Sequence, residues 1–272
     1  MKAKCTRPPL RSIFQRALRE QRRTIFAWSA GLVSFSLIML AMYPTIRNNT
    51  GFAKLLDAYP EPLKKLFNFS DYTTAAGYLR TEVFSFMAPL LIAIFAILWG
   101  SDLIAGEEER RTIDLLMANP VSRRRVVLEK WLALLTGVVV LSMILEAMLG
   151  AIGPLFKLHV GWLPLSAEVA GSGLFALAMG SLALAIGAAT GSRAVARGVA
   201  TIVAVAMYLV TTLAQIVNVL RSIEPLSLWY HALGSDPLTT GFHPVHLLVV
   251  IASISVIVAL AVLLFDRRDL AV

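Results

Sequence analysis

The residues in this chain best suited to chemistry form a dense block of charge between two long apolar runs. Residues 101–130 contain six acidic and six basic residues, although only 15% of the whole chain is charged. Such a block is excluded from hydrocarbon, because each charged group would lose its hydration. The block therefore predicts a segment held in the cytosol, where carboxylates and guanidinium groups recognise another surface through ion pairs.

Two short helices are predicted within this block. The first runs from about Asp102 to Met117 with three consecutive glutamates at its centre, and Asn119–Pro120 breaks the chain after it. Ser122 is placed to cap a second helix, which leads into the third apolar run. We expect the carboxylates to point into the cytosol and the arginines at 123–125 to lie near lipid phosphate groups.

Three polar side chains within the apolar runs are candidates for a substrate pathway. Glu146 lies about 15 residues into the third run, which at about 1.5 Å per residue places it ~22 Å from the cytosolic end. A lone charge near the bilayer centre costs about 3 kcal/mol, so Glu146 should contact substrate, be neutral, or bond to a neighbouring helix. Gln215 and Asn218 are expected at a comparable depth in the fifth run, where they share this cavity or join helices as amides.

The elements that must position these residues are membrane-spanning helices. The chain is 57% hydrophobic and its mean hydropathy is +0.73. Most of its apolar runs reach or approach the roughly 20 residues that a helix needs to cross hydrocarbon. They predict an all-α polytopic membrane protein, with residues 1–272 forming a single transmembrane domain. The six runs are Thr24–Tyr43, Val83–Gly100, Trp131–Phe156, Val169–Thr190, Val199–Leu220 and Val245–Phe265.

The distribution of basic residues predicts the orientation. With the N-terminus inside, the cytosolic segments hold 18 of the 25 Lys and Arg residues. Because positively charged segments tend to stay in the cytosol, we expect both termini to be cytosolic and the protein to lie in the inner or plasma membrane. The net charge of +8 then follows from topology and contact with anionic lipid, so it predicts no nucleic-acid partner.

Three segments outside the spans are predicted to be ordered at the membrane surface. The cytosolic residues 1–23 contain an amphipathic helix over 10–23, which anchors to lipid, contacts a cytosolic partner, or does both. Residues 44–82 form an external loop with short amphipathic helices and glycosylation sequons at Asn48 and Asn68. Residues 221–244 are aromatic and bounded by proline, which favours a short external or re-entrant helix.

The motifs of the charged block resemble those of the type-2 ABC exporter permeases. The cytoplasmic segment of that family carries Gly-Glu, then Thr-Ile or Thr-Leu, and then Pro-Val-Ser-Arg before the third span. The chain departs from the pattern at Arg111, where many relatives carry Gly. Gly77–Leu79 before the second span and Phe265–Leu270 after the sixth also agree, so the similarity covers essentially the whole chain. The matching residues in the block are Gly106, Glu107, Thr112, Ile113, Leu116, Pro120, Val121, Ser122 and Arg123.

In that family the segment is a coupling helix, which docks into a groove of a separate ATP-binding subunit and transmits its closure to the spans. The resemblance therefore implies a dimer of ATPase subunits as partner, and a second permease copy or a paralogue that completes one pathway. It places ATP and Mg on the partner, since this chain has no G-x-x-x-x-G-K-[ST] sequence. The residues it implies at the coupling interface are Gly106, Glu107, Glu108, Glu109, Arg110, Thr112, Leu116, Pro120 and Arg123.

The predicted function is that of a non-catalytic, cofactor-free membrane subunit of an ATP-driven exporter. The scarcity of polar residues in the spans favours an amphiphilic substrate. Three alternatives remain open: an ABC-like subunit that transmits force or signals without cargo, a stand-alone secondary carrier that depends on Glu146, and a membrane enzyme. The four histidines lie in or beside external loops without a metal-binding spacing, which argues against the enzyme.

Overall fold

The computed structural model describes residues 13–49, 51, 55, 58–60, 63–64, 69, 72–113, 121–234 and 236–268. Within these residues, six helices are long and apolar enough to cross a membrane, and no strand occurs. The predicted all-α class with six spans is therefore confirmed. The helices are α1 (Ile13–Arg47), α2 (Ala75–Glu109), α3 (Arg123–Phe156), α4 (Trp162–Thr190), α5 (Arg193–Ala214) and α6 (Pro244–Arg267).

Helix α4 lies at the centre of the bundle. Of its most apolar stretch 78% is buried, compared with 22% for α1, α5 and α6. It packs against α2, α3, α5 and α6. Its close approach to α2 requires glycine on both helices, because a Cβ atom on Gly100 would lie 2.2 Å from the carbonyl oxygen of Gly180. At this crossing, small residues of α4 therefore allow close packing between two helices of the same chain.

Helix α1 is longer than the predicted first span. It runs from Ile13 to Arg47, so residues 13–23 are helical as predicted, but they continue directly into the first span instead of forming a separate helix. No glycine or proline lies between these residues and the apolar run, so nothing in the sequence interrupts the helix. The amphipathic pattern determines which side of this segment faces the bundle, because Ala17 is buried and its neighbours pack against the core. Residues 10–12 lie outside the described residues.

Helix α5 ends at Ala214, earlier than the predicted fifth span. Arg221 donates a hydrogen bond from Nε to the Ala214 carbonyl at 3.2 Å, which satisfies an acceptor at the helix end. A separate short helix, Asn218–Arg221, follows. The predicted placement of Gln215 and Asn218 within the fifth span is therefore wrong, and both residues are exposed beyond its end.

The connection between α5 and α6 packs onto the N-terminal half of α4 through short helical turns. Trp229 is buried between Phe175 of α4 and Tyr208 of α5, with ring centroids 4.9 Å and 5.0 Å away. The surrounding helices therefore enclose the Trp229 ring. His231 Nδ1 lies 2.9 Å from His246 Nδ1 at the start of α6. The turns are Glu224–Leu226, Tyr230–Gly234 and Pro237–Thr240.

The segment between α1 and α2 is described only in part. Tyr72 leads into α2, and its ring packs edge-on against Tyr78 with centroids 5.6 Å apart. Tyr78 also contacts Tyr43 near the end of α1 at 5.1 Å, which joins the two helices. The predicted sequons fall partly on Thr50, Asn68 and Ser70, which lie outside the described residues.

Candidate functional site: an ion-pair cluster at one end of the bundle

The last turn of α2 carries three consecutive glutamates. Successive residues of an α-helix are rotated by about 100°, so these neighbours face different directions. Each carboxylate is bound to a basic residue from another part of the bundle. The pairs Glu107–Lys130, Glu108–Arg268 and Glu109–Arg193, together with Asp102, Arg110 and Arg123, form what we call the ion-pair cluster.

The pair between Glu107 and Lys130 is the most buried part of the cluster. Lys130 Nζ lies 2.7 Å from Glu107 Oε1, and only 2% of the lysine side chain is exposed. The same ammonium group donates to the carbonyl of Leu103, which lies in a π-helical turn of α2. Because a buried charge is costly unless it is paired and hydrogen-bonded, this contact holds the start of α3 against α2.

Arg193 joins the first turn of α5 to two carboxylates of α2. Its Nε lies 2.5 Å from Glu109 Oε2, and its Nη1 lies 3.2 Å from Asp102 Oδ1. Its backbone N–H donates to Glu109 Oε1 at 2.8 Å. A carboxylate is favourable here, because the first N–H groups of a helix lack partners and the helix dipole is positive at this end. Asp102 also binds Arg110 at 3.2 Å, so it pairs with one arginine at the end of α2 and with another at the start of α5.

Arg268 and Arg123 connect the end of α6 to the ends of α2 and α3. Arg268 forms a two-point ion pair with Glu108, at 2.5 Å and 2.9 Å. Arg123 donates from Nη1 to the carbonyl of Phe265 at 3.0 Å and to that of Arg268 at 2.5 Å. The last carbonyls of a helix have no intrahelical donor, so the Arg123 guanidinium caps α6.

The chain leaves α2 through a left-handed turn at Arg111, where φ is 55°. The Thr112 N–H donates to the Glu107 carbonyl at 2.8 Å, and the Arg111 N–H donates to the Glu108 carbonyl at 2.9 Å. These two bonds define a Schellman helix end, whose left-handed residue is most often glycine. The left-handed turn gives a physical reason why glycine is favoured at the position that Arg111 occupies in this chain.

Two predictions for this segment require correction. Residues 102–109 continue α2 instead of opening a separate helix, because no helix break precedes Arg111. The glutamates do not project freely into solvent, because basic residues of the same chain bind all three. Gly106 makes room for this arrangement, since a Cβ atom there would lie 2.3 Å from Asp102 Oδ1.

Two further residues of the predicted motif support helix ends. Thr112 donates from Oγ1 to the Glu107 carbonyl at 3.1 Å, so its hydroxyl reinforces the helix end. Ser122 caps α3 as predicted, accepting a hydrogen bond from the Arg125 N–H at 3.3 Å. Leu116 and Pro120 lie outside the described residues.

The three predicted pathway residues do not share one cavity. Glu146 lines a groove between α3, α4 and α6, where its carboxylate accepts a hydrogen bond from Ser166. Gln215 lines a different cavity of about 90 Å³, and Asn218 is exposed. Glu146 therefore remains a candidate pathway residue without the two amides.

The second cavity contains a buried carboxylate that the hydropathy pattern does not single out. Glu168 is 3% exposed and accepts a hydrogen bond from the Leu238 N–H at 3.1 Å. It shares the cavity with Arg80 and Asp236, which form an ion pair between α2 and the connection before α6. Glu168 lies just outside the predicted fourth span, although α4 begins earlier, at Trp162.

A bundle of six potential spans, joined at one end by an ion-pair cluster next to a charged connecting segment, defines a multi-pass membrane protein of the transporter class. The chain belongs to the ABC-2 transporter family, because the family model described as ABC-2 family transporter protein matches residues 13–270. It is therefore a permease subunit of an ABC transporter, and permeases of this family generally work with a separate ATP-binding subunit. No curated protein gives a significant match to the chain.

Proposed function

We propose that this permease is the membrane subunit of an ATP-driven exporter, and that the ion-pair cluster carries the motion of the ATPase into the membrane. The observation that supports this most directly is the arrangement of the three glutamates. The last turn of α2 adjoins the charged connecting segment and is bound to α3, to α5 and to the residue after α6. A displacement of this turn acts on all three helices together.

In this proposal the energy comes from another polypeptide. Two ATPase subunits bind ATP and Mg, and two permease copies, or this chain and a paralogue, form one pathway. The permease itself is non-catalytic and binds no cofactor. The ion-pair cluster lies on the cytosolic side of the inner or plasma membrane with both termini, as the excess of Lys and Arg on that side predicts.

The proposed substrate is amphiphilic. The groove at Glu146 supports this, because apolar side chains line most of it and its polar groups lie together. Substrates that combine hydrocarbon with a polar group match such a surface better than fully polar solutes do.

The first experiment is affinity purification of the permease from native membranes in mild detergent, followed by mass spectrometry and an ATPase assay. We expect a stoichiometric P-loop ATPase. Charge reversal then tests the cluster. Glu108→Arg or Arg268→Glu alone should leave the ATPase bound but reduce transport per ATP hydrolysed, and the double variant should restore transport because it re-forms the pair with opposite polarity.

Other outcomes point elsewhere. If Glu108 contacts the ATPase directly, Glu108→Arg releases the ATPase and Arg268→Glu does not rescue it. A permease that purifies alone and transports in vesicles without ATP is a secondary carrier. ATP hydrolysis that moves no cargo in any assay supports a force-transmitting subunit.

A further inference from the structure

The groove between α3, α4 and α6 has the size of a ligand site and one polar end. Its volume is about 320 Å³, within the range of about 300–1,000 Å³ for small-molecule sites. Val138 of α3, Leu174 and Leu177 of α4 and Ile251 of α6 line its apolar part. An apolar wall of this length suits a hydrocarbon chain.

The polar end of the groove is acidic. The Glu146 carboxylate accepts a hydrogen bond from the Ser166 hydroxyl, and among the described residues it forms no ion pair with a basic side chain. An ionised carboxylate can accept about four hydrogen bonds, so capacity remains for further donors. This distinguishes Glu146 from the cluster glutamates Glu107, Glu108 and Glu109, each of which binds Lys or Arg.

Ser142 supplies a second polar group at the same end. Other hydroxyls in the helices, such as those of Ser172 and Ser253, donate to the carbonyl four residues earlier, at 3.0 Å and 2.8 Å. The Ser142 hydroxyl is buried and has no hydrogen-bond partner among the described residues. Gly173 leaves space for it, because a Cβ atom there would lie 2.6 Å from Ser142 Oγ. An unsatisfied buried hydroxyl is unfavourable, so a ligand that bonds to it gains affinity.

The groove opens towards the outer face of α3. Val139 and Met143 stand at its edge and are 44% and 63% exposed, on a helix apolar enough to cross a membrane. A π-helical turn, Met148–Ile152, directly follows the helical segment that ends at Ala147, next to Glu146. Such turns are frequent at functional sites because they displace side chains from the regular helix.

We propose that this groove binds a single-chain amphiphile with a protonated amine headgroup, taken from the membrane. The chain lies along the apolar wall, and the amine donates hydrogen bonds to the Glu146 carboxylate and, once the Ser142 side chain rotates towards the groove, to Ser142 Oγ. The opposite charge of the amine compensates a carboxylate that otherwise lies in an apolar setting. The inference rests on the proposed function in one respect: it names the chemical class of the exported substrate.

The test measures binding to the purified permease in nanodiscs, without the ATPase. Radiolabelled dodecylamine, dodecanol and dodecanoate are compared in a scintillation-proximity assay. We expect saturable dodecylamine binding that Glu146→Gln weakens by about tenfold or more, while dodecanol binding is unchanged, because only the amine loses a charge-assisted bond. Gly173→Leu should abolish binding of both. The matched control is Gly198→Leu, at a position where a Cβ atom meets nothing within 4 Å, and it should leave both unchanged.

Three results would overturn the inference. One is dodecylamine binding that Glu146→Gln does not change, which is decisive because this replacement preserves the shape of the side chain. Another is equal or tighter binding of dodecanoate. The last is a disulfide between two copies at Met143→Cys in a Cys5→Ser background, which would show that a second permease covers the groove. Each leaves the proposed function standing if the ATPase co-purifies.

Discussion

Lys130 Nζ lies 2.7 Å from Glu107 Oε1, where only 2% of the lysine and 13% of the glutamate side chain are exposed. The pair joins the start of α3 to the end of α2 and is largely shielded from solvent. The exposed pair Arg16–Glu20, one helical turn apart on α1, has both side chains more than half exposed. The two pairs therefore allow a buried ion pair to be compared with an exposed one.

Lys130→Met is expected to destabilise the protein by about 3–5 kcal/mol, because it leaves the Glu107 carboxylate buried without its counter-charge. The measurement is the thermal unfolding midpoint of the purified protein in detergent. Arg16→Met is the control and should cost less than about 1 kcal/mol. Adding Glu107→Gln to Lys130→Met should recover most of the loss, and a double variant no better than the single one would contradict the explanation.

Arg111→Gly is expected to stabilise the protein by about 0.5–1 kcal/mol. A non-glycine residue in the left-handed region costs about 1–2 kcal/mol, and glycine removes this strain. Part of the gain is offset because glycine increases the conformational entropy of the unfolded chain. The midpoint of thermal unfolding should rise. Arg110→Gly is the matched control, because Arg110 has ordinary helical backbone and binds Asp102, so its replacement should lower the midpoint. A lower midpoint for Arg111→Gly would mean that its side chain matters more than its backbone.

Gly100→Ala and Gly198→Ala are expected to have opposite effects on stability. The new Cβ atom at Gly100 meets the carbonyl oxygen of Gly180 at 2.2 Å, so α2 and α4 must separate at a cost of about 1–3 kcal/mol. At Gly198 it meets nothing within 4 Å, so higher helix propensity should add up to about 1 kcal/mol. Thermal unfolding in detergent measures both, and a harmless Gly100→Ala would argue against close contact at this crossing.

Cysteine labelling in a Cys5→Ser background should reveal the orientation. Leu155 lies in the last turn of α3 at one end of the bundle and is 80% exposed, while the Arg124 side chain at the other end is 70% exposed. A membrane-impermeant maleimide should label Leu155→Cys in intact cells and Arg124→Cys only after permeabilisation, because the basic residues hold their end in the cytosol. The reverse pattern would place the ion-pair cluster outside and exclude a cytosolic ATPase as its partner.

The six spans could be predicted from sequence because hydropathy acts locally and lipid requires long apolar helices. The end of α5 could not be predicted from sequence, because Ile216 and Val217 are as apolar as the span itself. The residue that caps the Ala214 carbonyl, Arg221, lies beyond the helix. The partners of the glutamates were also beyond local patterns. Glu108 and Arg268 are 160 residues apart, and only the folded bundle brings them together. At the sequence level Lys130, Arg193 and Arg268 are indistinguishable from basic residues that merely set topology.

The directions of the three glutamates at the end of α2 also determine how the bundle responds to translation of this helix and to its rotation. A pull along the helix axis moves all three carboxylates in the same direction. A twist about that axis carries each one along a different tangent, since they are spaced by about 100°. The three ion pairs would then change length by different amounts, because their partners belong to different elements of the bundle. Rotation and translation of the end of α2 would therefore act differently on the neighbouring helices. A docked ATPase that rotated this end would displace α3, α5 and α6 by different amounts.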